Sequence, residues 1–172
     1  FDTNNPGTTI EDLEGGIIGG TIAQGKFEVG DEIEIRPGIS SEREGKTVYN
    51  PLISEIVSLH AGEKNVKEAH CGGLVGVGTM LDPSYSKADG LTGNIAGKTG
   101  LLPPTLTEVT LETHILERAV GTKELLKVER INLDETLLLH LGAAVNIGKV
   151  ISAKSNVIKV KLNRPICAQP SA

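Results

Sequence analysis

Gly15-Gly16-Ile17-Ile18-Gly19-Gly20-Thr21 and the later Cys71-Gly72-Gly73-Leu74-Val75-Gly76-Val77-Gly78-Thr79 are the stretches that decide the fold. Paired glycines flank Ile17-Ile18 in the first and Val alternates with Gly in the second, so both read as strand-like sequence unusually poor in side chains. Glycine inside a strand costs entropy and packs nothing. It marks a bulge, a tight corner, or the close approach of another backbone or a ligand. Between them, Val29-Gly30-Asp31-Glu32-Ile33-Glu34-Ile35-Arg36-Pro37-Gly38 reads as a turn feeding a strand. Ile33 and Ile35 supply the buried face, so Glu32 and Glu34 are expected on a solvated outer face. Two glycine strands in one small unit predict a barrel with a bare face on which something large and flat can lie.

Working outward, 172 residues allow one ordinary domain or two small ones. Apolar residues make up 38%, but aromatics only 2%, and tryptophan is absent. The cores must therefore be built from Val, Ile and Leu, which suit strands. Strand-like runs are predicted at 13–23, 32–36, 48–58, 73–79, 91–98, 108–117, 125–131, 135–141, 144–154, 157–162 and 166–168, with Gly, Pro, Asn and Asp between them. In Val157-Ile158-Lys159-Val160-Lys161-Leu162 the apolar residues share one face and the lysines the other, and Asn156 sits where a hairpin turn is needed. Helix signals are confined to one turn at 121–126 and a short loop or 3₁₀ piece at 84–89. Leu101-Leu102-Pro103-Pro104-Thr105 is the best linker. The expected organisation is all-β, with two small barrels at 1–101 and 105–172. The chain starts at Phe1 without methionine and stops at Ala172 beside a strand-like run, so we expect a piece of a longer protein with its second barrel short of a strand or two.

Charge and motifs exclude several functions. A net charge of −5 argues against broad nucleic-acid binding, though not against a narrow contact to one RNA end. Two cysteines, Cys71 and Cys167, are too few for a disulfide framework and fit a reducing, cytoplasmic setting. No apolar run approaches membrane-spanning length. Residues 93–100 imitate a phosphate-binding loop, but Gly93 and Gly97-Lys98 are too close together. His60, His70 and Cys71 do not complete a tetrahedral metal set, so no metal site is expected, and an exposed His70 beside a packed Cys71 is the simpler expectation. No nucleophile, base and orienting group come together, so no catalytic residue is assigned. The polar stretches 40–50 and 61–69 read as long loops on a compact barrel and are expected to bind a partner.

The quoted glycine stretches carry a family. Together with Phe1-Asp2-Thr3-Asn4-Asn5-Pro6-Gly7-Thr8, Leu81-Asp82-Pro83-Ser84, Lys87-Ala88-Asp89-Gly90-Leu91-Thr92-Gly93, Leu116-Glu117-Arg118-Ala119-Val120-Gly121 and Arg164-Pro165-Ile166, they closely resemble the gamma subunit of archaeal and eukaryotic translation initiation factor 2. The resemblance covers essentially the whole chain, and the lack of eukaryote-like insertions makes it look archaeal. It implies domain II and most of domain III, two barrels similar to those of elongation factor Tu. The family's GTP-binding domain and usual last strand have no counterpart here. No cofactor and no enzyme activity are therefore expected in this piece, while GTP, Mg and GTPase activity are expected in the parent.

The resemblance also implies partners. In the family, domain II receives the aminoacylated 3′ end of methionyl initiator tRNA for delivery to the small ribosomal subunit. The alpha subunit docks on loops of domain II, and the beta subunit uses the GTP-binding domain. On this basis the tRNA end is expected at Gly15, Gly16, Gly19, Gly20, Thr21, Gly73, Gly76 and Gly78. The alpha subunit is expected at Glu42, Arg43, Glu63 and Lys64. Two rivals are the barrels of an elongation or selenocysteine-specific factor, and a stand-alone β-barrel enzyme using Asp82, Asp89 or His70.

Overall fold

The computed structural model describes residues 1–116 and 130–169. It divides into two compact units, Phe1–Pro103 and Pro104–Ala172. The first holds β1 (Ile17–Gly20), β2 (Lys26–Glu28), β3 (Glu32–Arg43), β4 (Lys46–Ala61), β5 (Lys64–Val66), β6 (Glu68–His70), β7 (Val75–Thr79) and β8 (Ile95–Lys98). They form a sheet in the order β1-β7-β4-β3-β8 with β5 also on β4, while β2 and β6 make a separate pair. Ile22, Ile33, Ile56, Leu59, Ala69, Val75 and Val77 are the buried core, joined by Ile18, Phe27 and Val66. A single helical turn, Pro83–Ser86, is followed by a 3₁₀ turn, Lys87–Asp89. Asp82 starts it, its carboxylate accepting the Ser84 N–H at 2.8 Å.

In the second unit β9 (Thr105–Glu112), β10 (Thr136–Leu141), β11 (Ala144–Lys154) and β12 (Val157–Cys167) form an antiparallel sheet in the order β10-β11-β12-β9. Ile158, Val160 and Leu162 are buried and Lys159 and Lys161 exposed, as the alternation requires. Ser155 and Asn156 turn β11 into β12, pairing Lys154 with Val157. The predicted run at 125–131, apart from its last two residues, and the predicted turn at 121–126 lie outside the described residues.

Several expectations are corrected. The stretches 40–50 and 61–69 are not loops. The first is the continuation of β3 and β4, paired from Ile39–Asn50 out to Arg43–Lys46 around Glu44 and Gly45. Pro37-Gly38 does not end the strand but forms an irregularity in register between Ile35 and Ile39. Gly38, at φ +88°, lets the Asn50 carbonyl approach to where a Cβ would stand, 1.8 Å away. In the second stretch Gly62 and Glu63 turn β4 into β5, and Glu68–His70 is β6. Beyond Ile39 and Asn50 the β3–β4 ribbon pairs only with itself among the described residues. The run predicted over 13–23 shortens to β1, and that over 91–98 shortens to β8. Leu91 and Asn94 instead close a turn, Asn94 N–H donating to the Leu91 carbonyl at 3.1 Å.

Glu34 is also misplaced by simple alternation. It is 5% exposed rather than solvated. The segment after β8 folds back over it: Gly100 donates its N–H to the Glu34 carboxylate at 3.2 Å, and Leu102 lies where a Cβ on Gly97 would stand, 2.5 Å away. Arg36 donates from Nε to Glu34 at 2.7 Å and from Nη1 to the Pro103 carbonyl at 3.5 Å. The Arg36 hydrogen bond holds the Glu34 pKa below the usual value against the opposing cost of burial. A lowered folded-state pKa means that this contribution is complete above the ordinary value. It is lost as the pH falls through the lowered one. Hydrogen bonds to charged groups contribute about 1.5–3 kcal/mol. Glu34→Gln is therefore expected to lower stability near neutrality and to flatten its loss on acidification below pH ~4, where the wild type loses the ion pair. Urea unfolding across that range checks both effects.

Candidate functional site

The glycine stretches come together as β1 and β7. Their antiparallel register sets Ile17 against Gly78, Ile18 against Val77, Gly19 against Gly76 and Gly20 against Val75. On the far side of β7, β4 places Ser58 against Gly78 and His60 against Gly76. Asn65 of β5 lies against His60. Ile18, Val77, Leu59 and Val66 turn inward to the core. The opposite face therefore carries the rows Ile17, Gly78, Ser58 and Gly19, Gly76, His60, Asn65.

These glycines divide by what surrounds them. A Cβ on Gly15 would stand 1.8 Å from the Thr79 carbonyl oxygen, one on Gly16 2.4 Å from Ser86 Oγ, and one on Gly78 2.3 Å from Ser58 Oγ. These three are small because the protein packs against itself. A Cβ on Gly19 meets only the Phe1 ring at 3.4 Å, one on Gly76 only the His60 Cβ at 3.6 Å, and one on Gly20 nothing within 4 Å. Gly19 and Gly76 form the open part of the face, while Gly20, in register with the core residue Val75, lies on the other side of β1. Gly73, at φ +70°, belongs to the turn before β7, and Thr21 is exposed just past β1.

Strand β1 is also the edge of its sheet. The Ile17 N–H donates to the Phe1 carbonyl at 2.8 Å, so this peptide faces the outer edge. Strand parity points the Gly19 N–H and C=O the same way. The open face thus offers a bare floor and a backbone donor and acceptor at its rim.

The residues expected to meet the alpha subunit are all exposed. They do not form one cluster. Glu42 and Arg43 end β3, where Arg43 opposes Lys46 at the start of β4, while Glu63 and Lys64 follow Ala61 at the end of β4. Fifteen residue steps of β4 separate the two pairs, up to ~50 Å of extended chain.

The enzyme candidates do not converge. Asp82 is engaged in capping the Pro83–Ser86 turn, and the Ser84 hydroxyl and N–H lower its pKa. Asp89 sits at φ +57° in the 3₁₀ turn. His70 Nε2 lies 2.6 Å from Glu68. Among the described residues no three His, Cys, Asp or Glu side chains could hold a metal ion. Cys71 is exposed rather than packed, its thiol donating to the Gly25 carbonyl at 3.3 Å. Nothing in the sequence points to the ion cluster on β2–β6. Lys26 Nζ bridges Glu28 at 2.6 Å and Glu68 at 2.5 Å, which, with His70 adding to it, drives the Glu68 pKa down to about 2. Lys-Phe-Glu and Glu-Ala-His alternate over three residues only, too few to read as strands.

Charge is uneven between the units. Phe1–Pro103 has eight Lys and Arg against fifteen Asp and Glu, net −7, and the remainder has nine against seven, net +2.

Comparisons with known proteins place this geometry in a class. Residues 15–85 match the family described as elongation factor Tu domain 2, and residues 107–172 match initiation factor eIF2 gamma, C terminal. A bacterial selenocysteine-specific elongation factor shares the fold, with a TM-score of 0.66 over 91% of this chain and 22% of its own, at 15% identity. The chain is thus an all-β pair of units of the kind found in translation factors. More narrowly, it is similar along nearly its whole length to translation initiation factor 2 gamma subunits. It is 53% identical to that subunit from Methanopyrus kandleri and 55% to that from Thermococcus onnurineus over 98% of its length, and 52% to that from Pyrococcus furiosus over 99%. It spans 41% of the length of each of these relatives. Among the described residues no helix is long and apolar enough to cross a membrane.

The division of the glycines gives a direct check. Gly15→Ala forces a side chain into the Thr79 carbonyl and is expected to cost about 1–3 kcal/mol. Gly20→Ala, on open strand, is expected to stay within about 0.5 kcal/mol of the parent. Chemical denaturation of the two variants measures the contrast.

Proposed function

We propose that this chain is the tRNA-end and partner-binding portion of a translation initiation factor 2 gamma subunit. Its first unit serves as domain II and its second as domain III, at the boundaries 1–101 and 105–172. The aminoacylated 3′ end of methionyl initiator tRNA lies on the face of β1 and β7, for delivery to the small ribosomal subunit. The observation that carries this is the pairing of Gly19 with Gly76, which leaves adjacent strands bare beside an edge that offers a backbone donor and acceptor. An unstacked RNA end needs room and hydrogen-bonding groups more than it needs positive charge. A unit of net −7 supplies little phosphate attraction, so contact is narrow and shape-driven.

GTP and Mg, with GTPase activity, belong to the rest of the parent in this proposal. This portion is not itself an enzyme and needs no cofactor. The beta subunit binds the GTP-binding domain, the alpha subunit binds this unit, and the complex works in the cytoplasm. An elongation or selenocysteine-specific factor shares the fold, but the sequence identities favour initiation factor 2.

Val substituted at Gly19 or Gly76 in the full-length subunit is expected to weaken methionyl-tRNA binding at least tenfold and leave alpha-subunit binding intact. Filter binding at fixed salt measures the first and calorimetry the second, with circular dichroism confirming the fold. Unchanged tRNA affinity in both folded variants would remove the tRNA end from this face.

Because Glu42 and Arg43 are a strand's length from Glu63 and Lys64, the alpha subunit is expected to depend on one pair more than the other. Reversing the charges of each pair separately should weaken and alter the salt dependence of one complex. If both reversals leave calorimetric affinity unchanged, the alpha subunit docks elsewhere.

A further inference from the structure

The bare face has rings at its margins. Gly76 lies between Gly19 on one side and His60 on the other, in register across β1, β7 and β4. With strands ~4.8 Å apart, the Cα of His60 stands about 10 Å from that of Gly19. The His60 Cβ is 3.6 Å from where a Gly76 Cβ would be, so its imidazole is rooted directly beside the open floor. At the opposite margin the Phe1 ring reaches within 3.4 Å of the missing Gly19 Cβ. The remaining side chains of the two rows are Ile17, Ser58 and Asn65, none of them planar rings. His60 is half-buried, which restricts its ring without hiding it. No hydrogen bond or ion pair engages its ring among the described residues.

We propose that His60 is the side chain that contacts the terminal base of the RNA end. The base lies on the Gly19–Gly76 floor and the imidazole stacks against it. This rests on the tRNA-end reading above and adds to it a specificity-determining residue. The physical need is clear. With net charge −7 the unit cannot rely on phosphate neutralisation, and stacking of a base on a planar side chain is a recognition force independent of net charge. Loss of one stacked base costs about 1–3 kcal/mol in comparable sites, or roughly five- to 150-fold in affinity.

The test uses the full-length subunit in its GTP-bound form and methionyl-tRNA carrying 2-aminopurine in place of the terminal adenine. Stacking quenches this probe. In the wild type, binding is expected to quench it. His60→Ala is expected to bind at least fivefold more weakly and to leave the probe bright. His60→Phe restores the planar surface and is expected to recover both affinity and quenching, which a merely structural role of the histidine would not predict. Asn65→Ala, the next residue along the row, is expected to behave as wild type. Wild-type affinity and quenching in His60→Ala overturn the proposal. If Gly76→Val weakens binding while His60→Ala does not, only the role of His60 falls. If neither does, the placement of the RNA end on this face falls with it.

Discussion

The first unit hangs on the contact between Gly16 and Thr79. The Thr79 hydroxyl donates to the Gly16 carbonyl at 2.6 Å and its N–H to the same oxygen at 3.2 Å, while the Gly16 N–H donates to Leu81 at 2.8 Å. The Leu81 N–H returns to the Thr79 hydroxyl at 3.2 Å. Thr79 is 1% exposed, so all these groups would be costly to leave unpaired. Backbones can come this close only because Gly15 and Gly16 lack side chains. The contact fixes the start of β1 against the end of β7, and the register follows from there. Ile18 and Val77 go to the core, and Gly19 and Gly76 go to the outside.

The same constraint explains why one sequence feature serves two ends. Glycines at the base of β1 permit packing, and those further along leave a vacant surface. Side-chain chemistry on that surface is sparse and the surrounding charge is negative. Under the proposed function, recognition there comes from shape, from backbone groups at the open edge of β1, and from the few rings at its margins. The net positive charge of the second unit is modest, and two of its lysines are already paired, Lys149 with Asp134 and Lys159 with Glu108.

Much of this was legible before any coordinates. Alternation located β9 to β12 because each strand is long and faces water on one side. The glycine strands were legible as strands, but not which glycines faced inward, since that depends on Thr79, Ser86 and Ser58, all distant in sequence. Polar composition made 40–50 look like a loop, yet a ribbon with water on both faces needs no apolar residues to pair. Glu34 was misread because period-two alternation assumes that nothing covers the outer face, whereas residues 100–103 fold across it. Composition and charge could not show that Glu42 and Lys64 lie at opposite ends of β4, because that separation depends on how far β4 runs without a turn.

The self-paired end of the β3–β4 ribbon brings a hazard of its own. Beyond Ile39 and Asn50 each strand has a partner on one side only, so rows of amide and carbonyl groups face outward among the described residues. Such edges are templates for stacking against another copy of the same molecule. The tip answers with Glu42, Arg43, Glu44 and Lys46, and Arg43 directly opposes Lys46, two positive charges across one rung. Stacking copies would bring these charges together out of water. The ribbon can thus project from the sheet with its edges bare, its charged tip guarding against self-association into fibres.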